Sequence, residues 1–571
     1  MSAPAMIGAK PAPPYRTRNK AKGNAKSRES LKFFAPFAFF SPTFAFPFSF
    51  MTILEQNQRF SQSLLWQLQR QFFEQQGVAA WQQSIVPQYI TSNPFIAKSY
   101  AQLVFAWLRD MVAASALDVS QPVYIVELGA GSGRLAYHFL QKFYDFFEQS
   151  VLRKIKLIYV MTDFSPRTVD FWQSHPQLQL WVQAGRLDFA LFDAEHDTTL
   201  TLIHGGQTLS AEILVNPVVF LANYFFDGLT QDVFYIDEKR LHESLVTLTT
   251  PQTQPNLHDP DLLNGVTISY EHRLITGDYY PEADFNEMLG YYQDTLLQSY
   301  LLFPIGSLRC FQRLQKLTQG RFIIISADKG YHREDDLFFR GEPGLAKHGS
   351  FSMMVNYHAL GRYITKQGGQ FIATDYPHTN LDVCVSLLGQ QNYAETRQAY
   401  QFAIEQGGPD EFFTLKKGLE SYHDKLELPQ ILAYLRLSGW DSQLFLTCFE
   451  TLRNKLEDVT PRLKEQLHDA VPQIWQNYYH LGEADDVPFF LGMLLYGLDY
   501  NSEAIAYLKL SLKFYGPDVR TLYNLGLCYH DLHDFKTALD YMQQTLALEA
   551  DFEPAQVMRG KVEKQLHLLK K

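Results

Sequence analysis

One acidic residue and three alternating glycines occupy the turn between an apolar stretch and a helix-forming stretch. The sequence 123–143 is VYIVELGAGSGRLAYHFLQKF, in which Glu127 precedes Gly129, Gly131 and Gly133. Glycine lets a backbone turn sharply and approach a ligand closely. The start of a helix behind such a loop favours negative charge on the ligand. The pattern therefore predicts a cofactor-binding loop.

Two cofactor classes use a glycine loop placed between a strand and a helix. The dinucleotide pattern G-x-G-x-x-G would put its third glycine at position 134, which is Arg134. A dinucleotide site and a turn that binds no ligand are the two alternatives to the interpretation that follows.

The order Glu-x-Gly-x-Gly-x-Gly resembles motif I of the class I S-adenosylmethionine methyltransferases. The resemblance implies that S-adenosyl-L-methionine is the cofactor and that Glu127 and the three glycines contribute to its site. It also implies that Asp163, which ends the stretch LIYVMTD, binds the ribose hydroxyls. The acid that contacts adenine is expected in GRLDFALFDAE, where we assign Asp188 and leave Asp193 as the alternative.

Three later segments resemble the MidA-like methyltransferases. They are ANYFFDGLTQDVFYID at 222–237, IIISADKGYHREDDL and KHGSFSMMVNYHAL, and the resemblance spans about residues 60–390. Two positions depart from that family, because Tyr224 replaces a glutamate and Lys329 replaces a tyrosine. If those positions hold the acceptor, the acceptor site of this chain differs.

Two residues after the fourth predicted strand are the candidate catalytic residues. Class I methyltransferases place acceptor-facing residues there, at the sheet edge where open α/β folds bind ligands. Asn223 could hold the acceptor, and Asp227 could pair with a cationic one. A purely structural role for Asp227, capping the turn before Gly228, is the alternative.

The elements that position these residues alternate between strands and helices. Apolar strands are predicted in VYIVEL, IKLIYVMTD, LQLWVQ, EILVNPVVFLANYFFD and RFIIISADKG, with helices between the early ones. This alternation predicts an α/β fold with a Rossmann-like, mostly parallel sheet. Residues 237–280 are predicted as hairpins and 281–317 as helices, both inserted into that sheet domain.

We predict a helical segment over 51–115, the methyltransferase domain over 116–410 and an all-α domain over 411–571. The last domain contains a repeat of 34 residues, in which Leu491, Gly492 and Ala504 match Leu525, Gly526 and Ala538. The repeat, at about 488–555, resembles the tetratricopeptide repeat. This resemblance implies that a protein partner or substrate binds on the surface of the helical domain.

The first fifty residues differ from the rest of the chain. A basic stretch precedes FFAPFAFFSPTFAFPFSF, which three prolines interrupt, so it is a poor membrane-spanning helix. We expect residues 1–50 to be a disordered extension, with a targeting segment as the alternative.

Net charge and cysteine spacing bear on nucleic-acid binding, on metal binding and on the cellular compartment. The formal net charge of −11 disfavours nucleic-acid binding. The four cysteines lack the spacing of a zinc site, so we expect no metal, and buried reduced thiols suit a cytoplasmic protein.

The sequence thus predicts a methyltransferase acting on a protein that the repeats recruit. A non-enzymatic assembly protein with a vestigial sheet domain, and a small-molecule methyltransferase, are the alternatives.

Overall fold

The computed structural model of the chain describes residues 51–259, 261–457 and 459–569. The extension predicted at residues 1–50 lies outside the described residues. Two compact units are present within the described part: one is Met51–Phe490, and the other begins at Leu491. The boundary predicted between residues 410 and 411 falls inside the first unit.

The first part of the first unit contains an N-terminal segment and the early strands of the central sheet. In chain order its elements are β1 (Thr52–Gln58), α1 (Leu64–Gln76), α2 (Ala79–Gln82), α3 (Tyr89–Ser92), α4 (Pro94–Ala113), β2 (Val123–Glu127), α5 (Arg134–Phe147), β3 (Leu157–Asp163), α6 (Pro166–Ser174), α7 (Pro176–Gln183), β4 (Leu187–Leu191), β5 (Leu200–Thr201), β6 (Thr208–Leu209) and β7 (Val218–Asn223).

The chain then leaves the central sheet and returns to it. The elements of this part are β8 (Asp232–Asp237), β9 (Arg240–Thr250), α8 (Leu262–Gly265), β10 (Thr267–Leu274), α9 (Ala283–Thr295), β11 (Ser299–Phe303), α10 (Ile305–Leu317), β12 (Phe322–Asp328), β13 (Gly330–Tyr331), β14 (Ala346–His348), β15 (Ser350–Ser352), β16 (Val355–Asn356), α11 (Tyr357–Lys366), β17 (Gln370–Ile372), β18 (Asp382–Leu388) and α12 (Ala394–Tyr400).

Helices make up the rest of the described chain. They are α13 (Pro409–Glu420), α14 (Leu428–Leu437), α15 (Ser442–Asn454), α16 (Pro461–Gln476), α17 (Val487–Gly497), α18 (Asn501–Tyr515), α19 (Val519–Asp531), α20 (Phe535–Leu548) and α21 (Glu553–Leu569). The prediction of a mixed α/β chain with a helical C-terminal region is confirmed.

Seven strands in the described residues form the central sheet, in the order β17-β18-β12-β7-β2-β3-β4. The five strands from β12 to β4 run parallel, whereas β18 is antiparallel to both of its neighbours. The chain passes from β2 to β3 and β4 on one side and places β7 on the other side of β2. The strand order therefore reverses between β2 and β7, where ligands bind in open α/β sheets.

The parallel strands are apolar on both faces because both faces are covered. In β2, Val123 and Ile125 belong to the core formed with α4 and α5, whereas Tyr124 and Val126 belong to the core on the other face. Two-sided burial explains why these strands appear in the sequence as continuous apolar runs.

One predicted strand is wrong. The stretch LQLWVQ is part of helix α7, and the strand at this place in the sheet is β4, which follows it. Pro176 occupies the first turn of α7, and Leu178, Trp181 and Val182 have the spacing of a helix face. A short apolar run does not by itself distinguish a strand from a helix.

The hairpins predicted over 237–280 are present as β8, β9 and β10, which form a second sheet with β1 and β11. The segment 281–317 contains helices α9 and α10, as predicted, and also the strand β11 between them, which was not predicted. Strand β1 was missed as well, because its sequence continues into the pattern of α1.

In the second unit, equivalent close contacts recur 34 residues apart. A Cβ atom on Gly492 would lie 2.8 Å from the Leu508 side chain, and one on Gly526 would lie 2.3 Å from the Met542 side chain. Ala504 and Ala538 are fully buried at the matching positions of α18 and α20. Small residues allow the helices of each pair to pack closely at these points.

Candidate cofactor and acceptor site

The loop after β2 has the backbone that its glycines predict. Gly129, Gly131 and Gly133 have φ values of +64°, +52° and +79°, all in the left-handed region that favours glycine. Aromatic rings pack directly on this backbone: a Cβ atom would lie 2.8 Å from the Phe225 ring at Gly129 and 2.8 Å from the Trp81 ring at Gly131. Side chains would therefore be excluded by both conformation and space.

A cleft opens beside this loop, at the point where the strand order reverses. It contains about 920 Å³ that no atom fills, part of it open to solvent. Its walls come from the N-terminal segment, from the ends of β2, β3 and β4, and from the segment after β7. The lining residues are Trp66, Gln69, Arg70, Phe73, Trp81, Gly129, Thr162, Asp163, Phe164, Thr168, Phe192, Asp193, Ala194, Glu195, Tyr224, Phe225, Gly228 and Leu229.

Asp163 is the predicted ribose-binding residue, and it lies in the wall of this cleft. Its carboxylate accepts hydrogen bonds from the backbone N–H of Gly131 at 3.3 Å and of Ser165 at 2.9 Å. Burial raises the pKa of Asp163 to about 6, against the opposite effect of these backbone donors. A carboxylate with two such bonds retains lone pairs for two further donors.

The carboxyl groups of Glu127 and Asp188 are engaged elsewhere and do not line the cleft. Glu127 accepts a hydrogen bond from the Tyr159 hydroxyl at 2.9 Å, and burial raises its pKa to about 8. Asp188 lies inside β4 and accepts from the backbone N–H groups of His204 and Gly205, at 2.9 and 2.8 Å. Asp188 therefore holds the backbone of residues 204 and 205, and Glu127 is bonded to a side chain of the neighbouring strand β3.

Asp193 follows β4 and lines the cleft, unlike Asp188. Its carboxylate accepts a hydrogen bond from the Arg70 guanidinium at 2.7 Å. That guanidinium also lies over the ring of Phe164, with 4.3 Å from Cζ to the ring centroid. Despite partial burial, the Arg70 contact keeps the pKa of Asp193 below its ordinary value.

Sequence reasoning missed the contribution of the N-terminal segment to this site. Trp66, Gln69, Arg70 and Phe73 from α1, together with Trp81 from α2, form one wall of the cleft. The rings of Phe73 and Trp81 stack at 5.8 Å. The available signal was an arginine among aromatic residues on a helix, a pattern that ordinary core packing also produces.

The candidate catalytic residues lie beside the cleft rather than in its wall. The Asn223 side chain accepts from the Tyr100 hydroxyl at 2.6 Å and donates to the Thr91 carbonyl at 2.8 Å, so both of its polar atoms hold the N-terminal segment. Asp227 is half-buried and precedes the cleft residue Gly228.

Asp227 lies against a second acid at the same sheet edge, Asp328, which ends β12. Asp328 is fully buried and accepts a hydrogen bond from the Tyr357 hydroxyl at 3.0 Å. Burial and the neighbouring carboxylate raise the pKa of Asp328, and burial raises that of Asp227. Two neighbouring carboxylates repel each other when both are ionised, so the pair holds a proton more readily than isolated acids.

Tyr224 directly follows Asn223 in the chain. Its φ of +47° is unusual for a bulky residue. Its backbone N–H donates to the Ala327 carbonyl at 2.9 Å, and the residue lines the cleft. The departure from the MidA-like pattern at this position thus brings an aromatic ring to the site.

A separate group of metal-ligand side chains lies away from the cleft, at the start of α13. His378, Asp410 and Glu411 come within reach of one another there. Asp410 accepts from the backbone N–H groups of residues 379–381, and Glu411 accepts from the Tyr376 hydroxyl and the Gly408 N–H. These contacts fasten the loop before β18 to α13 and occupy the carboxylate oxygens.

The four cysteines are buried and unpaired, as predicted. No helix in the described part of the chain has both the length and the apolar composition that crossing a bilayer requires.

Comparison with known families identifies a methyltransferase family model that matches part of the chain. Residues 103–276 match a family model described as "Putative S-adenosyl-L-methionine-dependent methyltransferase". The matched region covers β2 to β10, including the glycine loop and Asp163. No curated protein matches the chain.

Two solved structures from Burkholderia thailandensis are similar to parts of the chain. An uncharacterized protein is 11% identical, with 55% of this chain and 78% of that chain covered and a TM-score of 0.32. A second member of its superfamily, described as a "likely methyl transferase" and bound to S-adenosyl-homocysteine, is 12% identical, with 50% and 64% covered and a TM-score of 0.31. TM-scores below 0.5 do not establish a shared fold, so the family match alone bears on this chain.

The cofactor of the chain is S-adenosyl-L-methionine. The family match names it, and the residues present fit it: Gly129 of the left-handed loop, the Asp163 carboxylate and several aromatic residues line one cleft. Aromatic faces suit the cationic sulfonium of this molecule.

Proposed function

We propose that the chain is an S-adenosyl-L-methionine-dependent methyltransferase acting on a protein acceptor. The observation that carries this proposal is the convergence of the glycine loop and Asp163 on one cleft, beside the acid pair Asp227 and Asp328. The parallel strand order and its reversal between β2 and β7 support a Rossmann-like methyltransferase domain.

Several residues would hold the cofactor. Asp163 would accept hydrogen bonds from both ribose hydroxyls, and the backbone of Gly129, Gly131 and Gly133 would approach the methionine half. Asp193, fixed by Arg70, is better placed than Asp188 to meet the adenine amine, because only Asp193 lines the cleft. Glu127 and Asp188 would support the loop and β4 from behind.

The bound cofactor supplies an activated methyl group for in-line transfer to a nucleophile. This chain's own task is then to align the acceptor and to take its proton. Asp227 would receive that proton, and Asp328 would assist because its neighbouring carboxyl group disfavours ionisation of both acids at once. Asn223 would act by fixing the N-terminal wall through Tyr100 and Thr91.

The helical unit from Leu491 supports a protein acceptor. Its matched contacts 34 residues apart, at Gly492 and Gly526, fit tetratricopeptide-like helix pairs, whose surfaces bind peptides. Buried, unpaired cysteines fit a cytoplasmic enzyme.

Methyl transfer from radiolabelled S-adenosyl-L-methionine into a fractionated lysate tests the proposal. We expect label in protein, and we expect Asp227→Asn to reduce transfer by about a hundredfold, the lower end of general acid–base effects, while cofactor binding persists. Label only in small molecules would favour the small-molecule alternative. Cofactor binding without any transfer would favour the assembly protein.

A further inference from the structure

A segment distant in sequence passes behind the glycine loop. We call residues Gln476–Glu483, which run from the end of α16 towards α17, the strap. Its backbone is held by side chains from α2, α5 and α7. The contacts are Tyr137 Oη to Gln476 O at 2.9 Å, Gln177 Nε2 to Tyr478 O at 2.8 Å, His480 N to Gln177 Oε1 at 2.9 Å and Gln82 Nε2 to Leu481 O at 2.7 Å.

One strap side chain packs, together with Met161 and Trp172, against the last glycine of the loop. The Tyr479 hydroxyl lies 3.0 Å from the position that a Cβ atom on Gly133 would take. Tyr479 is 2% exposed and stacks on His175 with 4.4 Å between ring centroids. Its hydroxyl has no hydrogen-bond partner among the described residues, so packing fixes this contact.

A second strap side chain holds the residue that follows the loop. Glu483 pairs with Arg134, the first residue of α5, at 2.6 Å, and the two side chains are 17% and 9% exposed. The N-cap position of α5 is Gly133, which offers no side chain to the free N–H groups of the first turn. A carboxylate near this end therefore compensates both the helix dipole and the guanidinium.

The loop is thus held from two sides. On the cleft side, the Asp163 carboxylate accepts a hydrogen bond from the Gly131 N–H. On the other side, the Trp172 indole N–H donates a hydrogen bond to the Gly131 carbonyl at 2.9 Å. Tyr479 and Glu483 add a packing contact and an ion pair to that second side. Loss of either partner of a largely buried pair leaves the other charge uncompensated.

We propose that the strap positions the glycine loop for the cofactor, with Tyr479 acting through Gly133 and Glu483 through Arg134. The affinity for S-adenosyl-L-methionine then depends on a segment roughly 350 residues beyond the loop, outside the region that matches the methyltransferase family. This inference rests on the proposed function only in that the cleft binds this cofactor.

A double-mutant cycle on the full chain tests the strap. The dissociation constant for S-adenosyl-homocysteine is measured by calorimetry for wild type, Arg134→Gln, Glu483→Gln and the double variant. We expect each single variant to bind S-adenosyl-homocysteine about tenfold more weakly than wild type. The double variant should bind no more weakly than the single variant with the lower affinity, because the two charges act as one pair. Glu395→Gln, which breaks an Arg109 pair between α4 and α12, is the control and should bind as wild type.

Hydrogen exchange separates positioning from general stability. Exchange should accelerate at the amides of residues 131–136 in Glu483→Gln and stay unchanged in β7. If Glu483→Gln fails to fold, Glu483→Asp retains the charge with a shorter reach and should still bind about threefold more weakly. Unchanged affinity in the folded Glu483 variants, or additive losses in the double variant, would overturn the role of the strap. Lack of binding by wild type would instead overturn the cofactor assignment.

Discussion

The two sides of the glycine loop are built from different parts of the chain. The cleft side is formed by Asp163, about thirty residues beyond the loop, and by the rings of Trp81 and Phe225. On the opposite side, the Trp172 indole donates to the Gly131 carbonyl, and Tyr479 and Glu483, from beyond α16, add contacts at Gly133 and Arg134. The contrast shows that Asp163, the proposed ribose-binding acid, lies close to the loop in sequence, whereas Tyr479 and Glu483, which we propose to hold the loop in place, lie far from it.

The largest effect is expected from a substitution on the cleft side. Gly131→Val should abolish cofactor binding, because a β-branched residue is strained at φ +52° and its Cβ atom would meet the Trp81 ring at 2.8 Å. Gly185→Val is the matched control, since Gly185 has φ +66° and nothing within 4 Å of the added atom. Calorimetry should show no binding in the first variant and wild-type affinity in the second; equal affinities would contradict the assigned loop.

A smaller loss is expected at the carboxylate of the same side. Asp163→Ala removes an acceptor of charge-assisted hydrogen bonds, worth about 1.5–3 kcal/mol, so the dissociation constant should rise roughly ten- to hundredfold. Asp163→Asn keeps one acceptor oxygen and should lose less. Both variants also change the partner of the Gly131 and Ser165 N–H groups, whose hydrogen bonds the Asp163 carboxylate accepts. Melting temperatures of the variants therefore control for a loss of stability. Wild-type binding by both would show that β3 does not supply the ribose contact.

The same carboxylate predicts a dependence on pH. Burial raises the pKa of Asp163 to about 6, so the group is ionised above that pH and protonated below it. Only the ionised form accepts both ribose hydroxyls, and cofactor affinity should therefore fall as the pH drops from 7 to 5. Titrations of wild type across this range should show the decrease, and Asp163→Asn should flatten it. A profile that persists in the variant would assign the titration to another group.

Truncation should produce the smallest change in cofactor binding and thereby sharpen the contrast between the two sides. A chain that ends at Phe490 retains the compact unit Met51–Phe490 and its strap. It should bind the cofactor as the full chain does, yet transfer methyl groups poorly to a protein acceptor, because the helical unit is gone. Circular dichroism must first show that the truncated chain folds. If the folded truncated chain methylates the protein acceptor at the rate of the full chain, the helical unit does not recruit that acceptor.

The backbone of the glycine loop could be predicted from sequence because its signals are local: three glycines between an apolar run and a helix indicate a left-handed loop. The ribose-binding role of Asp163, at the end of the next strand, was implied by the resemblance to class I methyltransferases and stays a prediction. Asp188 and Asp193 illustrate the limit of this reasoning. They are five positions apart in the sequence. Asp188 lies within β4, which ends at Leu191, whereas Asp193 follows the strand and lines the cleft.

The rest of the site depends on tertiary contacts that leave no periodic signal. The aromatic residues of α1 and α2 have the pattern of any amphipathic helix, and nothing in it indicates that their far side faces a cleft. Helix α7 was taken for a strand because its apolar run is short. Tyr479 and Glu483 lie in a segment without regular structure, where neither propensity nor motif predicts a partner.

The central claim is that the cleft binds S-adenosyl-L-methionine, and calorimetric titration of the full chain with S-adenosyl-homocysteine tests it most directly. We predict saturable binding with one site per chain, absent in Gly131→Val and retained in Gly185→Val. No binding by the folded wild-type protein at ligand concentrations up to about 1 mM would contradict the claim.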